Sequence, residues 1–387
     1  GPAEHKHTYY YFSPWSPDGR HLLLARYDRQ EPAAEICLLA TDTGAMRVVG
    51  RSLKWDSHTV AFQQWLGDGS RIFYTSADAE GPVMVTSQAD GEDARSWPTR
   101  EFNSEICCMP DGCRAYASNA LDVMFPGDAV ASQDDKGLWS IDLETGERQL
   151  VFSVAQAQAL MPDPEQAAGC HLYIKRIILH PHLPRLLFNL TNTFWDKGDG
   201  EPRVRQICTI GLNGEDPVCV GPCVHHPNWH PLENRLVANL HDFTRTMRFG
   251  LYPGDGKGLL EYIPKTKGSG HPSFSPDGRW LCTDASGVKG NQMILCDPRN
   301  GASIVLVDGT CFSAPYASFK AIEERKAGET IMDALHKAQL AKNWQTQGHP
   351  AWSRDGSAIL FNRDLGSGSQ LFMVDVAGAL AGVHEKQ

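Results

Sequence analysis

Three histidines carry the most evident chemistry in this sequence. His226, His271 and His349 are each followed by proline, and each stands four to six residues before an Asp-Gly or equivalent turn. His271 and His349 lie far apart in the chain yet share one local context: His-Pro, two residues, Ser, one residue, Asp-Gly. An imidazole titrates near neutral pH, so it serves as a proton acceptor or as a metal ligand. If the turns bring these rings together, His271 and His349 can share one cation, with amide oxygens from Gln347 and Gln345 beside them. A mixed nitrogen and oxygen donor set suits Mn²⁺ or a similar divalent ion better than a thiolate-seeking one. The rival reading is a loop histidine before a turn, which a repeated context in two places makes less economical.

Two further groups compete for attention. The stretch "CVGPCVHHPNWH" offers Cys219, Cys223, His225 and His230 at loosely zinc-like spacing. Cys219 ends an expected strand, however, so alternation scatters these side chains, and His226 as an acid/base residue is the sharper expectation. In "EPRVRQICTIGLNG", Arg203 and Arg205 enter an apolar strand. They are either solvated edge charges or a guanidinium clamp on a carboxylate, which the planar fork suits. Arg203, His225 and His230 stand as candidate substrate contacts. No Gly-rich phosphate loop and no Gly-x-Ser-x-Gly elbow is present, which argues against a serine hydrolase.

The elements that must position these residues come from a repeat. "WSPDGRHLLLA", "WLGDGSRIFYT", "MPDGCRAYA", "HPHLPRLLFN", "HPLENRLVAN", "FSPDGRWLCTD" and "WSRDGSAILFN" are seven copies of one phrase. Their turns fall roughly 43 to 78 residues apart. Asp tolerates and Gly supplies the backbone angles of a tight turn, and the apolar run that follows reads as a strand. A second hairpin comes later in the copies, as in "ICLLATDTGAMRVV" and "LWSIDLETGERQLV". Two hairpins per copy make a four-stranded antiparallel unit, and seven such units predict an all-β, seven-bladed β-propeller. The chain is read as a single propeller domain over residues 1–387. "AQAQALMPDPEQAA" predicts a loop with a short helix. The Ala-, Glu-, Lys- and Leu-rich residues 313–345 predict a helical insertion before the last blade, next to His349. The N-terminal "HKHTYYYF" is expected to add the missing strand of the last blade and close the ring.

Composition narrows the partners. Of the 387 residues, 41% are hydrophobic and 21% charged, which permits a sizeable core. No apolar run is long enough to span a membrane. The formal charge of −10 argues against nucleic acid as the main partner, although a basic pocket can sit in an acidic surface. The eleven cysteines show no small-scaffold spacing and read mostly as buried or free thiols of a reducing compartment, with room for a disulfide or two. The expected location is cytoplasmic, or periplasmic if a leader has been removed ahead of Gly1-Pro2. The expected state is monomer or homodimer.

The sequence resembles the oligogalacturonate lyases, seven-bladed propeller enzymes that degrade short pectin fragments. The resemblance covers most of the chain and is strongest from about Leu187 to Arg363. "LLFNLTNTFWDKGDGEPRVRQICTIGLNG" is similar to that family's strand, acidic loop and Arg-Ile-Trp-Thr-Ile-Asn segment, which puts Arg205 in the place of the catalytic arginine. "VHHPNW" stands where the family has Gly-His-Glu-Phe-Trp, making His226 the counterpart of the catalytic histidine. "GHPSFSPDG" puts His271 at a metal-binding histidine. The family's last motif, Gln-x-x-His-Pro-His-Pro, departs here to Trp344-Gln345-Thr346-Gln347-Gly348-His349-Pro350. His349 matches the second histidine, Gln347 replaces the first, Trp344 takes the glutamine position, and Gln345 is one residue out of register. The resemblance implies β-elimination on an acidic oligosaccharide assisted by a divalent ion such as Mn²⁺, with an altered metal site and room for a different uronate. The alternatives are a non-catalytic TolB-like propeller and the propeller half of a prolyl-oligopeptidase-type enzyme, whose nucleophile and hydrolase domain this chain lacks.

Overall fold

The computed structural model describes residues 3–56, 58–99, 102, 105–119, 134–192, 204–258, 260–267, 270–287, 290–310, 346–365 and 368–384. Seven antiparallel sheets follow one another along the chain. Six have four strands and the last has three, and in each sheet the strands lie side by side in sequence order. This is the seven-bladed β-propeller that the repeat predicts.

The Ser-x-Asp-Gly form of the turn works the same way in the first, sixth and seventh sheets. In Ser16-Pro17-Asp18-Gly19 the Ser16 hydroxyl donates to Asp18 at 2.6 Å, the carboxylate accepts the Arg20 N–H, and the Ser16 oxygen accepts the His21 N–H. Ser275 with Asp277 and Ser353 with Asp355 repeat the 2.6 Å bond. Gly19, Gly278 and Gly356 hold φ near 70°, the left-handed angle that glycine adopts at no steric cost. The turn leads into the second strand, which is buried on both faces. Residues 22–25 are therefore a continuous apolar run and residues 186–192 are all buried, while the fourth strand of the first sheet, Met46–Ser52, is half exposed. Full burial of each Leu, Ile, Val or Phe side chain contributes about 1.5–3 kcal/mol.

By contacts the chain forms two compact units: residues 1–98, 281–295 and 303–387, and residues 99–280 and 296–302. In the first unit, Leu23, Ile36, Leu38 and Val49 of the first sheet pack with Ile72, Tyr74, Val83 and Val85 of the second. The second unit holds the third, fourth and fifth sheets and residues Ser273–Phe274.

Two local expectations can be compared directly. The Ala- and Gln-rich stretch forms a helix, Val154–Ala159, capped by a reciprocal pair between Ser153 and Gln156, and then a single 3-10 turn, Pro164–Ala167. The N-terminal segment does not complete the last sheet. Glu4–Lys6 pairs with His21–Tyr27 in the first sheet, and the last sheet keeps three strands among the described residues. The N terminus is instead tied to the last sheet by side chains. The buried Glu4 carboxylate accepts the Ser369 N–H at 2.6 Å and pairs with Arg29, and Gln370 donates to the Ala3 carbonyl at 3.0 Å. Residues 313–345 lie outside the described residues.

Candidate active site

One backbone device repeats in the first strand of several sheets. In the fifth sheet, His225 pairs with Asn239 and Asn228 with Val237, so two residues, His226 and Pro227, oppose one. Lys175 with Asn189 and Ile178 with Leu187 make the same two-against-one bulge around Arg176 and Ile177. Ala61 with Thr75 and Gln64 with Phe73 do so around Phe62, and Gly348 with Asn362 and Ala351 with Leu360 around His349. The leading residue of each bulge is left-handed: Phe62 at φ 48°, Arg176 at 57°, His226 at 55° and His349 at 48°. Non-glycine residues adopt this angle rarely, and bulges of this kind turn a side chain away from the direction that strand alternation dictates. A His-Pro or its equivalent at this offset is therefore a way to aim a side chain.

In the second unit the device assembles a polar cluster. The His226 and His271 rings lie 4.0 Å apart between centroids, and the His225 and His226 rings 4.3 Å apart. The Gly270 carbonyl accepts from His226 Nδ1 at 2.9 Å and from Asn239 Nδ2 at 2.9 Å. A carbonyl only accepts, so the His226 proton sits on Nδ1 and its Nε2 carries the lone pair. The same Asn239 amide approaches His225 Nδ1 at 3.2 Å, which puts the His225 proton on Nε2. Asn239 is fully buried and His271 is 2% exposed, whereas His225 and His226 are half-buried. Burial, then the neighbouring His271 and His225 rings, hold the His226 imidazole well below the ordinary histidine value. Burial, His271 and Arg205 push His225 down to about 3. Both rings are therefore neutral at pH 7, which is the form that can accept a proton.

Two guanidinium groups border these rings. Arg205 opens the third strand of the fourth sheet and donates to the Val224 carbonyl at 2.6 Å, next to His225. Its positive charge is among those lowering His225. Arg176, at the bulge of the fourth sheet, lowers both His225 and His226, and its guanidinium donates to Glu105 at 2.9 Å while its backbone N–H donates to the same carboxylate at 2.5 Å. Sequence reasoning singled out Arg205 and missed Arg176, Glu105 and Asn239. The signal for Arg176 was present: it stands four residues before His180-Pro181, as His226 stands four before His230-Pro231.

In the first unit the same device buries its histidine. His349 is 0% exposed. Its ring lies 4.5 Å from Tyr9, 5.2 Å from His58 and 6.4 Å from both Tyr10 and His7. Its Nε2 is 3.1 Å from the Gln347 amide oxygen, and its backbone N–H donates to the buried Asp284 at 3.1 Å. His7 is buried as well, and burial pushes it down to about 4. His7, Tyr9 and Tyr10 were not foreseen as neighbours of His349, because "HKHTYYYF" reads as a strand by composition alone, and neither was His58.

The other candidates divide. The structure does not bring His230 to the His225–His226 pair. His230 lies at the far end of the strand His225–Trp229, where its Nδ1 accepts the Leu232 and Glu233 N–H groups and so caps the turn. Its ring packs 4.8 Å from Phe274 and borders a separate cavity of about 630 Å³ with Tyr262 and Arg279. Four residues of strand displace it from His226 by about 13 Å. Arg203 and Gln345 lie outside the described residues. His349 and Gln347 supply one imidazole and one amide oxygen, but among the described residues no group of three or more His, Cys, Asp or Glu side chains is arranged to hold a metal. The described donors do not make a complete shell for a divalent cation. The same holds for zinc at Cys219 and Cys223: Cys223 is buried beside Asn189, and His230 is at the far end of the strand.

No protein-family model and no curated protein sequence matches the chain. Solved structures do. The chain is similar to an oligogalacturonate lyase from Vibrio parahaemolyticus, with a TM-score of 0.68 and 14% identity over 97% of this chain and 91% of that one. It is also similar to an oligogalacturonate lyase in complex with manganese, with a TM-score of 0.67 and 15% identity over 96% and 90%. A hydrazine synthase from Kuenenia stuttgartiensis follows at 0.53 and 10% identity over 94% of each chain. At such identities the likeness establishes the fold.

Proposed function

We propose that this protein is a carbon–oxygen lyase that cleaves uronate-containing oligosaccharides by β-elimination, leaving an unsaturated uronate at the new end. The observation that carries the reading is the tautomer of His226. Its Nδ1 proton is held by the Gly270 carbonyl, which makes Nε2 the basic nitrogen, and its imidazole is kept neutral next to two arginines. The likeness to oligogalacturonate lyase structures supports the same substrate class.

The chemistry needs three things. A base removes the proton on the sugar carbon next to the carboxylate, the bond from the neighbouring carbon to the glycosidic oxygen breaks as that oxygen takes a proton from solvent, and the negative charge that builds on the carboxylate is neutralised. Neutral His226 is the base, an effect typically worth ~10²–10⁴-fold. Arg205 faces the carboxylate through its planar fork and stabilises the enolate-like charge as it develops. Arg176, oriented by Glu105, assists it. Burial chiefly keeps His226 unprotonated, and the His271 and His225 rings at 4.0–4.3 Å add to it.

The test is a panel of oligogalacturonate and other uronate oligomers mixed with the purified protein, read by near-ultraviolet absorbance of the unsaturated product. Absorbance should grow with at least one uronate and not with neutral oligosaccharides. Binding of an oligomer without product would instead make the protein a glycan-binding propeller. Exhaustive chelation should lower turnover less than Arg205→Ala does. The reverse order would transfer charge neutralisation to a metal.

A further inference from the structure

The outer hairpin of the fourth sheet, Arg205–Gly211 with Val218–Pro222, places two cysteines directly opposite one another. Ile207 pairs with Gly221 and Cys208 with Cys219, and Val220 is the extra residue of a bulge between the two pairs. Residues opposed in an antiparallel ladder have Cβ atoms about 4.5–5.5 Å apart and Cα atoms about 4.5–5.5 Å apart. The Cα range falls inside the about 4.4–6.8 Å that a disulfide spans, so small side-chain rotations close the remaining gap. The two thiols are within hydrogen-bond reach of each other. Their exposure differs: Cys208 is fully buried, while Cys219 is partly exposed and its sulfur lies 3.7 Å from the Gln206 amide oxygen.

We propose that Cys208 and Cys219 form a reversible cross-strand disulfide that locks this hairpin under peroxide. The hairpin bears on the candidate active site at both ends. Its first strand begins at Arg205, and its second strand runs through Cys223 and Val224 into His225. The thiol of Cys208 donates to Cys219 and holds the Cys219 thiol below its ordinary value, so the more accessible sulfur is also the more readily ionised. The Cys219 thiolate attacks one peroxide oxygen, the O–O bond breaks, and hydroxide leaves, giving a sulfenic acid. The Cys208 sulfur then attacks the Cys219 sulfur, the S–O bond breaks, and water leaves. Two thiols and one peroxide become one disulfide and two waters, the peroxide being reduced. Formation of this bond is independent of the lyase reading.

The experiment treats the full chain with hydrogen peroxide, blocks remaining thiols with an alkylating agent, digests without reductant and identifies linked peptides by mass spectrometry. The expected result is a Cys208–Cys219 pair that dithiothreitol restores to two thiols, with slowed amide hydrogen exchange over residues 206–222 in the oxidised form. Cys219→Ser abolishes the link, and Cys223→Ser retains it. Sulfinic acid on Cys219 with Cys208 still alkylatable, or a Cys219–Cys223 link, would overturn the proposal. If Cys219→Ser fails to fold, the wild-type linked peptide and its reversal decide the question alone.

Discussion

His226 and His349 occupy the same offset from their turns, precede the same residue, proline, and share one left-handed backbone angle within a two-against-one bulge. Their surroundings differ completely. His226 is half-buried, its Nδ1 is engaged by a carbonyl, and Arg205 and Arg176 stand nearby. His349 is walled in by Tyr9, His58, Tyr10 and His7 with its Nε2 against Gln347. The backbone device aims a side chain, and the neighbours decide what the side chain does. In one case it presents a neutral imidazole to a charged setting. In the other it inserts a ring into an aromatic cage.

The sharpest way to break this comparison is to make the same substitution twice. Asparagine tolerates the left-handed angle, and its amide can replace the Nδ1 donor while removing the Nε2 base. His226→Asn should fold normally and lose ~10²–10⁴-fold in kcat, since general-base catalysis is removed. His349→Asn should keep kcat within about tenfold and instead lose about 2–4 kcal/mol of stability by truncating a fully buried ring. Denaturant titration and initial-rate kinetics on both variants check the pair. Equal loss of turnover in both would mean that His349 belongs to the catalytic machinery.

The pH profile sharpens the same contrast. A base must be deprotonated to act, and His226 is held below the ordinary imidazole value of about 6.5. As pH falls through that value, kcat/KM should therefore persist and decline only nearer the lowered value. Removing a neighbouring ring relieves its repulsion, so His271→Asn should move the acid limb to higher pH. His349→Asn should leave the limb in place. A wild-type limb at or above about 6.5 would sink the assignment of His226 as a desolvated base.

What was legible in the sequence follows from the range of the interactions involved. The turn before the second strand is closed by residues within five positions of each other, such as Ser16, Asp18 and His21 or His180 and Leu183, so its seven copies disclosed seven sheets. The His-Pro offset was also local, and it made His226, His271 and His349 stand out together, of which His226 and His349 share the left-handed bulge. The environment of each was not local. Glu105 reaches Arg176 from the segment ahead of the third sheet, and Tyr9 reaches His349 across most of the chain. His230 looked equivalent to its neighbours in sequence, yet one strand length moved it to the opposite end of the sheet as a turn cap. The N-terminal segment was read as a closing strand because it has strand composition. Its pairing was set by a longer-range fit to His21–Tyr27 and by the Glu4 carboxylate.

The smallest expected effect tests the shared half of the comparison, the backbone. A left-handed angle costs an L-residue roughly 1–2 kcal/mol relative to its preferred conformations, and glycine escapes that cost but gives up about 0.4–1 kcal/mol to its freer unfolded chain. Alanine and glycine both delete the imidazole, so the difference between them isolates the angle. At His226 and at His349 alike, the glycine variant should be more stable than the alanine variant by about 0.5–1 kcal/mol. The difference should be similar at the two sites, because φ is 55° at one and 48° at the other. A glycine advantage at only one position would show that the strain is not common to both, and the four-sheet bulge would then be a coincidence of local packing. An equal advantage would leave the neighbours as the sole source of the contrast between a base and a buried ring.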